Sequence, residues 1–200
     1  MVPRPDGEVH ETIRAFFAIE LDAAARRAAA DVVRALRERD GADAVHWVRV
    51  EALHVTLRFL GDIERAQVAP LVRCVGAEVG PLASFRLGLG SAGLFPSPRR
   101  PKVVVLDVAP PQPTAELAAA VERGVVAAGC EPETRRFRAH LTLGRVRGRR
   151  WPSVDAVAPP QDEAFDVTEA VLFRSELHPS GARYTALERI PLRAFNPTHP

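Results

Sequence analysis

The sequence predicts an α+β fold of two pseudo-symmetric lobes, each a mainly antiparallel sheet with helices packed on its outer face, with an active-site groove between them. The main reason is a short pattern that occurs twice, as His-Val-Thr-Leu at 54–57 and as His-Leu-Thr-Leu at 140–143. Strand-like and helix-like segments also alternate along the chain, and a hairpin closes it. Because 200 residues suffice for one domain or two closely packed lobes, we predict a single bilobal domain, internally duplicated, over residues 1–200.

The first half of the chain alternates β-forming and amphipathic segments. Residues with high β-propensity predict strands at 13–21, 45–48 and 54–60, the last of them ending at Gly61-Asp62. Asp22 is a favourable N-cap for an amphipathic helix that ends at Gly41. A second helix is expected over 64–79.

The second half repeats this alternation and then adds a hairpin. Strands are expected at 85–89, 103–108 and 137–146, and a helix is expected over 114–128. Gly, Pro and Ser predict loops at 90–101 and 151–162. The final hairpin is expected to pair 165–177 with 183–192 across a turn at 178–181.

The composition excludes several classes of protein. No apolar stretch approaches the roughly 20 residues that a membrane-spanning helix needs, and residues 1–7 lack the apolar segment of a secretion signal. We therefore expect a cytoplasmic protein that does not associate with membranes. Cys74 and Cys130 form no CxxC pair, so two free thiols are expected. No Gly-rich phosphate loop is present.

The repeated pattern places one histidine and one threonine on the same face of each strand. Side chains alternate along a strand, so His54 and Thr56 share one face, and His140 and Thr142 do the same in the second copy. Two histidines that face one cavity can divide acid–base work, because an imidazole can be neutral or protonated near physiological pH. The threonine hydroxyls can donate hydrogen bonds to phosphate oxygens. This chemistry suits attack on a strained cyclic phosphodiester and uses neither a metal nor a cofactor.

A cluster of basic residues surrounds the second motif. Seven arginines without an intervening acid lie within sixteen residues, namely Arg135, Arg136, Arg138, Arg145, Arg147, Arg149 and Arg150. Such a run is either a solvated basic face or a phosphate-facing surface. Simple alternation from His140 turns Arg145 away from the site, so Arg145 reaches phosphate only if Gly144 introduces a bulge.

The chain resembles the two-histidine phosphoesterase superfamily, and more closely its bacterial RNA 2′,3′-cyclic phosphodiesterase (2′-5′ RNA ligase-like) family. The resemblance runs from Arg14-Ala-Phe-Phe through both motifs to Gly181-Ala-Arg-Tyr-Thr. It implies hydrolysis of RNA 2′,3′-cyclic phosphate ends to 2′-phosphomonoesters without metal. One departure is Ala139, where the family usually has Pro.

The resemblance also implies a role for each motif residue. His54 corresponds to the proton donor to the departing 3′ oxygen, His140 to the proton acceptor that activates water, and Thr56 and Thr142 to the phosphate-holding hydroxyls. Further candidates for substrate binding are Arg145, Phe16, Tyr184 and Ser175. The expected partner is RNA with a 2′,3′-cyclic end, such as a tRNA fragment, or a small cyclic nucleotide. We expect the protein to act as a monomer.

Three alternatives remain at this point. The same site could mainly run in reverse and ligate RNA through 2′-5′ linkages. The protein could instead be a non-catalytic module that holds RNA ends in a basic cleft. A metal hydrolase is the third alternative, although neither motif histidine has a second ligand at suitable spacing in the sequence.

Overall fold

The computed structural model describes residues 11–148, 150–155, 157, 164–178 and 181–194. Nine strands and three α-helices lie within these ranges. The strands are β1 (Thr12–Glu20), β2 (Val45–Trp47), β3 (His54–Glu64), β4 (Phe85–Phe95), β5 (Val103–Ala109), β6 (His140–Val146), β7 (Ala164–Val167), β8 (Glu169–Glu176) and β9 (Arg183–Pro191). The helices are α1 (Ala23–Arg37), α2 (Val68–Val79) and α3 (Pro111–Ala127).

The strands form one sheet in the order β7-β4-β5-β6-β3-β1-β8-β9, and β2 pairs with β6 beside this path. All the named strand pairs are antiparallel. The halves meet at the two motif strands, β3 and β6, which pair only through Val55 and Leu141. The predicted α+β class with antiparallel sheets is confirmed, but the two halves share one continuous sheet because β3 and β6 join them.

The two faces of the sheet have different surroundings. Along β1, Phe17 and Ile19 belong to the main core with the buried residues of all three helices. Phe16 and Ala18 point the other way and pack in a small separate cluster with Phe173 and Tyr184. We call the first side the helix face and the second the site face. The central residues of β1 are thus buried on both faces of the sheet.

Each helix begins or packs for an identifiable reason. The carboxylate of Asp22 accepts a hydrogen bond from the Ala25 N–H at 2.7 Å, which confirms the predicted N-cap of α1. Helix α1 contacts β4 and β7, whereas α3 contacts β3 and α2. The α2–α3 contact is close because Gly124 lacks a Cβ, which would lie 2.5 Å from the Val75 Cα.

Most predicted boundaries shift by a few residues, for example β6 begins at His140 and not at 137, and three differences are instructive. Strand β3 does not stop at Gly61 but runs to Glu64, because Gly61 adopts a positive φ of 73° within a bulged region opposite β1. Strand β4 continues through 90–95 although that segment is rich in Gly, because it pairs with β5.

The third wrong boundary lies in the predicted strand 165–177, which breaks at Thr168. Its first part, β7, pairs with β4, and its second part, β8, pairs with β1 and β9. The break therefore carries the chain from one half of the sheet to the other. The centre of the predicted turn, 179–180, lies outside the described residues.

Two expectations from composition can be compared with the structure. Both Cys74 and Cys130 are free and half-buried, as predicted. Within the part of the chain that the structure describes, no helix has the length and apolar character needed to cross a membrane.

Candidate active site

The pairing of β3 with β6 brings the two motifs together. Val55 lies opposite Leu141, and both side chains are fully buried in the main core on the helix face. The residues on either side of each must therefore project toward the site face. Continuing the antiparallel register by one residue sets His54 opposite Thr142 and Thr56 opposite His140. The two imidazoles occupy diagonal positions, which in a regular sheet are roughly 7–8 Å apart.

Both histidines are held by the same local hydrogen bond. The Nδ1 of His54 lies 2.8 Å from the Ala52 carbonyl oxygen, and the Nδ1 of His140 lies 2.7 Å from the Arg138 carbonyl oxygen. A carbonyl can only accept, so Nδ1 carries the hydrogen in each ring. The neutral form therefore has its lone pair on Nε2, which is the atom available for proton transfer.

Aromatic rings cover His54. The ring centroid of Phe16 lies 4.7 Å from that of His54, and the Tyr184 ring approaches edge-on at 5.1 Å. The pKa of His54 is lowered to about 4, chiefly because the ring is buried. The Ala52 hydrogen bond opposes this effect, and the nearby Arg145 and His140 add to it. Without a bound anion, His54 is therefore neutral at physiological pH.

His140 has a more open environment with more charge. Its ring stacks against Phe95 at 5.6 Å between centroids. The guanidinium of Arg138 lies 5.2 Å from the centre of the same Phe95 ring and 3.4 Å from the Asp107 carboxylate. Asp107 faces His140 in the β5–β6 register. Sequence reasoning did not identify Phe95, which lies in a segment predicted as a loop.

A bulge turns Arg145 toward the site. Val105 pairs with Thr142 and Val104 with Gly144, so Leu143 is an extra residue on β6. The extra residue reverses the alternation beyond it, which meets the condition that the sequence set for Arg145. Its charge acts on both His54 and Tyr184. Gly144 permits the local approach of β2, because a Cβ there would lie 2.5 Å from a Val45 methyl.

The remaining predicted contacts lie around His54. Tyr184 and Ser175 are paired across β8 and β9, and Tyr184 belongs to the site-face cluster. Phe16 is only 2% exposed. Stacking on a base requires an open ring face, so the geometry favours a role for Phe16 in positioning His54. Direct contact of Phe16, Tyr184 or Ser175 with a substrate stays a prediction.

Two arginines near this cluster were not identified from the sequence. The charges of Arg145, Arg14 and Arg49 all act on Tyr184, whose pKa is nevertheless raised because burial dominates. The Nη2 of Arg49 also donates to the Ala182 carbonyl at 3.1 Å. Alternation along β1 places Arg14 on the face of Phe16, and this signal could have identified it.

Over the described ranges, no three histidine, cysteine, aspartate or glutamate side chains lie close enough together to hold a metal ion.

Comparison with known proteins identifies the family. A model of the family described as LigT like Phosphoesterase matches residues 19–105 and, separately, 106–184. Each match contains one of the two motifs. The chain belongs to the LigT-like phosphoesterase family. This confirms the predicted family and the prediction that the chain is an enzyme of the phosphoesterase type.

Relatives of this LigT-like phosphoesterase match it over most of their length. The RNA 2′,3′-cyclic phosphodiesterase of Methanothermobacter thermautotrophicus is 33% identical over 183 residues, which are 88% of this chain and 97% of the relative. The RNA 2′,3′-cyclic phosphodiesterase of Thermus thermophilus is 30% identical over 90% of this chain and 91% of its own.

Solved structures have the same fold as this LigT-like phosphoesterase. Escherichia coli LigT in complex with 3′-AMP has a TM-score of 0.74 and 28% identity, over 92% of this chain and 99% of that one. TT0787 of Thermus thermophilus has a TM-score of 0.76 and 27% identity, over 92% of this chain and all of that one. The predicted fold class with two pseudo-symmetric halves is thereby confirmed.

Proposed function

We propose that this protein hydrolyses RNA 2′,3′-cyclic phosphodiester ends to 2′-phosphomonoesters, without a metal ion. The observation that carries the proposal is the matched pair of histidines, each with Nδ1 bonded to the carbonyl two residues earlier and Nε2 left for proton transfer. The names of the relatives support the choice of substrate.

In this proposal the two histidines act on opposite sides of the phosphorus. His140 takes a proton from water through Nε2 as the water oxygen bonds to phosphorus. The bond from phosphorus to the 3′ oxygen breaks, and His54 gives its Nε2 proton to that oxygen. Thr56 and Thr142 donate hydrogen bonds to the non-bridging oxygens, where negative charge increases in the transition state. The product keeps the phosphate on the 2′ oxygen.

The low pKa of His54 has a consequence for this assignment. A proton donor must be protonated, yet burial and the charge of Arg145 keep His54 neutral in the free protein. A bound phosphodiester anion offsets the charge of Arg145 and stabilises the imidazolium. We therefore expect His54 to gain its proton together with substrate. Its acidity then makes it an effective donor to the departing oxygen.

A defined oligoribonucleotide with a 2′,3′-cyclic phosphate end tests the proposal. We expect conversion to a 2′-phosphate end that continues in excess EDTA, as measured by chromatography and mass spectrometry of the product. Loss of activity in EDTA that an added divalent metal restores, or a 3′-phosphate product, would contradict it.

A second arm of this experiment separates hydrolysis from ligation. An RNA with a 5′-hydroxyl end is added to the same reaction, and the ligated product is measured beside the 2′-phosphate product. We expect hydrolysis to dominate because water is far more concentrated than the RNA end. Predominant 2′-5′ ligation would mean that the reverse reaction is the main activity.

A further inference from the structure

A cavity opens where the two motif strands separate. Beyond the Val55–Leu141 pair, no further pairing joins β3 to β6. A cavity of about 400 Å³ lies there and includes both Thr56 and His140 in its lining. This volume is within the range of ligand pockets. The cavity therefore adjoins the His140 side of the candidate reactive centre, and its lining does not include His54.

The walls of this cavity come from three parts of the chain. Phe59 lies on the β3 side, Ala115 and Ala119 form part of the α3 side, and the third side is the segment 131–139, which precedes His140 and has no regular secondary structure. The same segment borders a second cavity through residues 136–139. The segment thus has a cavity on each of two sides.

Arg58 supplies the main connection between β3 and the 131–139 segment. Its Nε donates to Glu122 Oε2 at 2.5 Å, and its Nη2 donates to the Glu131 carbonyl at 2.6 Å. The other oxygen of Glu122 accepts from the Glu133 N–H at 2.7 Å. Near the end of the segment lies Arg138, whose carbonyl accepts the Nδ1 hydrogen of His140. One network thus links both motif strands to the wall of the cavity.

The three arginines of this segment differ in their interaction partners. Arg135 donates two side-chain hydrogen bonds to Glu133, and these hold the pKa of that carboxyl at about 2. Arg138 is shared between Asp107 and the Phe95 ring. Arg136 is exposed, lines the cavity, and has no hydrogen-bond or ion-pair partner among the described residues.

We propose that this cavity is a subsite for the RNA chain on the 5′ side of the cyclic end, and that Arg136 contacts its phosphodiester backbone. The proposal rests on the proposed function and extends it to the substrate class, an oligonucleotide in preference to a mononucleotide. The cavity joins the reactive centre, its walls are mostly apolar, and an unneutralised guanidinium lies at its edge. The apolar walls suit the sugar and base surfaces of RNA, and the guanidinium suits a phosphate anion.

The test compares two substrates with and without the Arg136 charge. The substrates are a short oligoribonucleotide with a 2′,3′-cyclic phosphate end and adenosine 2′,3′-cyclic monophosphate. We expect Arg136→Ala to lower kcat/KM on the order of tenfold for the oligonucleotide and less than about twofold for the mononucleotide. The salt dependence of log(kcat/KM) for the oligonucleotide should become shallower by about one unit. Arg136→Lys should restore most of the loss.

The control and the contradicting outcomes keep this inference separate from the proposed function. Arg27→Ala removes an exposed arginine from α1, which packs against β4 and β7, and should change neither substrate's kinetics. An equal loss for both substrates, or no loss for either, overturns the subsite. If the unaltered protein hydrolyses neither substrate, the proposed function itself fails.

Discussion

The two motif histidines have the same local hydrogen bond and different surroundings. His54 lies on the site face beneath Phe16 and Tyr184, which come from β1 and β9. His140 lies against Phe95, in an environment that contains Arg138 and Asp107. The duplicated motif is therefore symmetric in its backbone bonds and asymmetric in what covers each ring.

This difference shows where a division of chemical labour can arise in a duplicated site. Each motif places its histidine on a strand with Nδ1 bonded to the carbonyl two residues earlier, so the tautomer is the same in the two halves. The pKa depends on burial and nearby charge, which come from strands outside the motifs. Burial is the main cause that lowers the pKa of His54 to about 4, and Arg145 adds to it. Three predictions test this contrast, from the largest expected effect to the smallest.

Replacing either motif histidine should have the largest effect. In the proposed mechanism each imidazole transfers a proton in the transition state, and such a transfer contributes about 10²- to 10⁴-fold. We expect His54→Gln and His140→Gln each to lower kcat about 10³-fold. The double variant should lose little more than either single variant, because the two groups act as a unit. Steady-state or single-turnover kinetics on a cyclic-ended RNA measures these losses.

A matched control for these variants is His178→Gln, which alters an exposed histidine in the turn after β8. RNA affinity should be retained in all three single variants, because binding can use the arginines without proton transfer. If His54→Gln or His140→Gln kept more than about a tenth of the activity, paired acid–base catalysis would be wrong. If the unaltered protein showed no detectable turnover and the histidine variants lost RNA affinity, the non-catalytic RNA-binding module would be favoured.

Local rules along single strands predicted much of the site. Alternation from His54 and His140 predicts both threonines on the histidine face, and the burial of Val55, Leu57, Leu141 and Leu143 agrees with this pattern. Asp22 identified the start of α1. For Arg145 the sequence sets only a condition: simple alternation turns it away, and the bulge at Leu143, next to Gly144, reverses that alternation. These features depend on residues within a few positions of one another.

The features that sequence reasoning missed depend on contacts between distant segments. The cover over His54 joins Phe16 to Tyr184 across separate strands, and no periodicity relates the two. Phe95 lies in a Gly-rich segment whose strand forms because β5 pairs with it. The break at Thr168 is set by two different partners for β7 and β8. Local propensity contains little information on such pairings.

The second prediction concerns stability against pH. The folded pKa of His54, about 4, lies below the ordinary value of 6.5, so the unfolded state binds a proton more readily. His54 therefore stabilises the folded state fully above about pH 6.5, and this contribution is lost as the pH falls toward 4. Relative to His54→Gln, the free energy of unfolding should decrease by about 3 kcal/mol from pH 7 to pH 4. Urea titrations at several pH values measure it.

The quantity compared is the difference in free energy of unfolding between the unaltered protein and His54→Gln. The contributions of other titrating groups are nearly the same in both proteins and largely cancel. His140→Gln is the matched comparison for the second half of the site. A parallel pH dependence in the unaltered protein and His54→Gln would show that burial does not depress the pKa of His54.

The third prediction separates the effect of charge from that of burial. Removing the Arg145 charge should raise the pKa of His54, because that charge disfavours a second cation nearby. The rise should remain partial, since burial beneath Phe16 and Tyr184 is the larger cause and does not change. We expect Arg145→Met to leave the pKa of His54 below 6.5 in an NMR-monitored titration of its imidazole, and to lower kcat/KM on the order of tenfold through the lost phosphate contact.

Arg147→Met is the matched control, because Arg147 is an exposed arginine just beyond the end of β6 and its charge is not among those that lower the pKa of His54. It should leave both the titration and the kinetics unchanged. If Arg145→Met restored the pKa of His54 to its ordinary value, charge and not burial would distinguish the two histidines. If it left that pKa unchanged, Arg145 would lie too far from His54 to act there, and its proposed contact with the phosphate would be wrong as well.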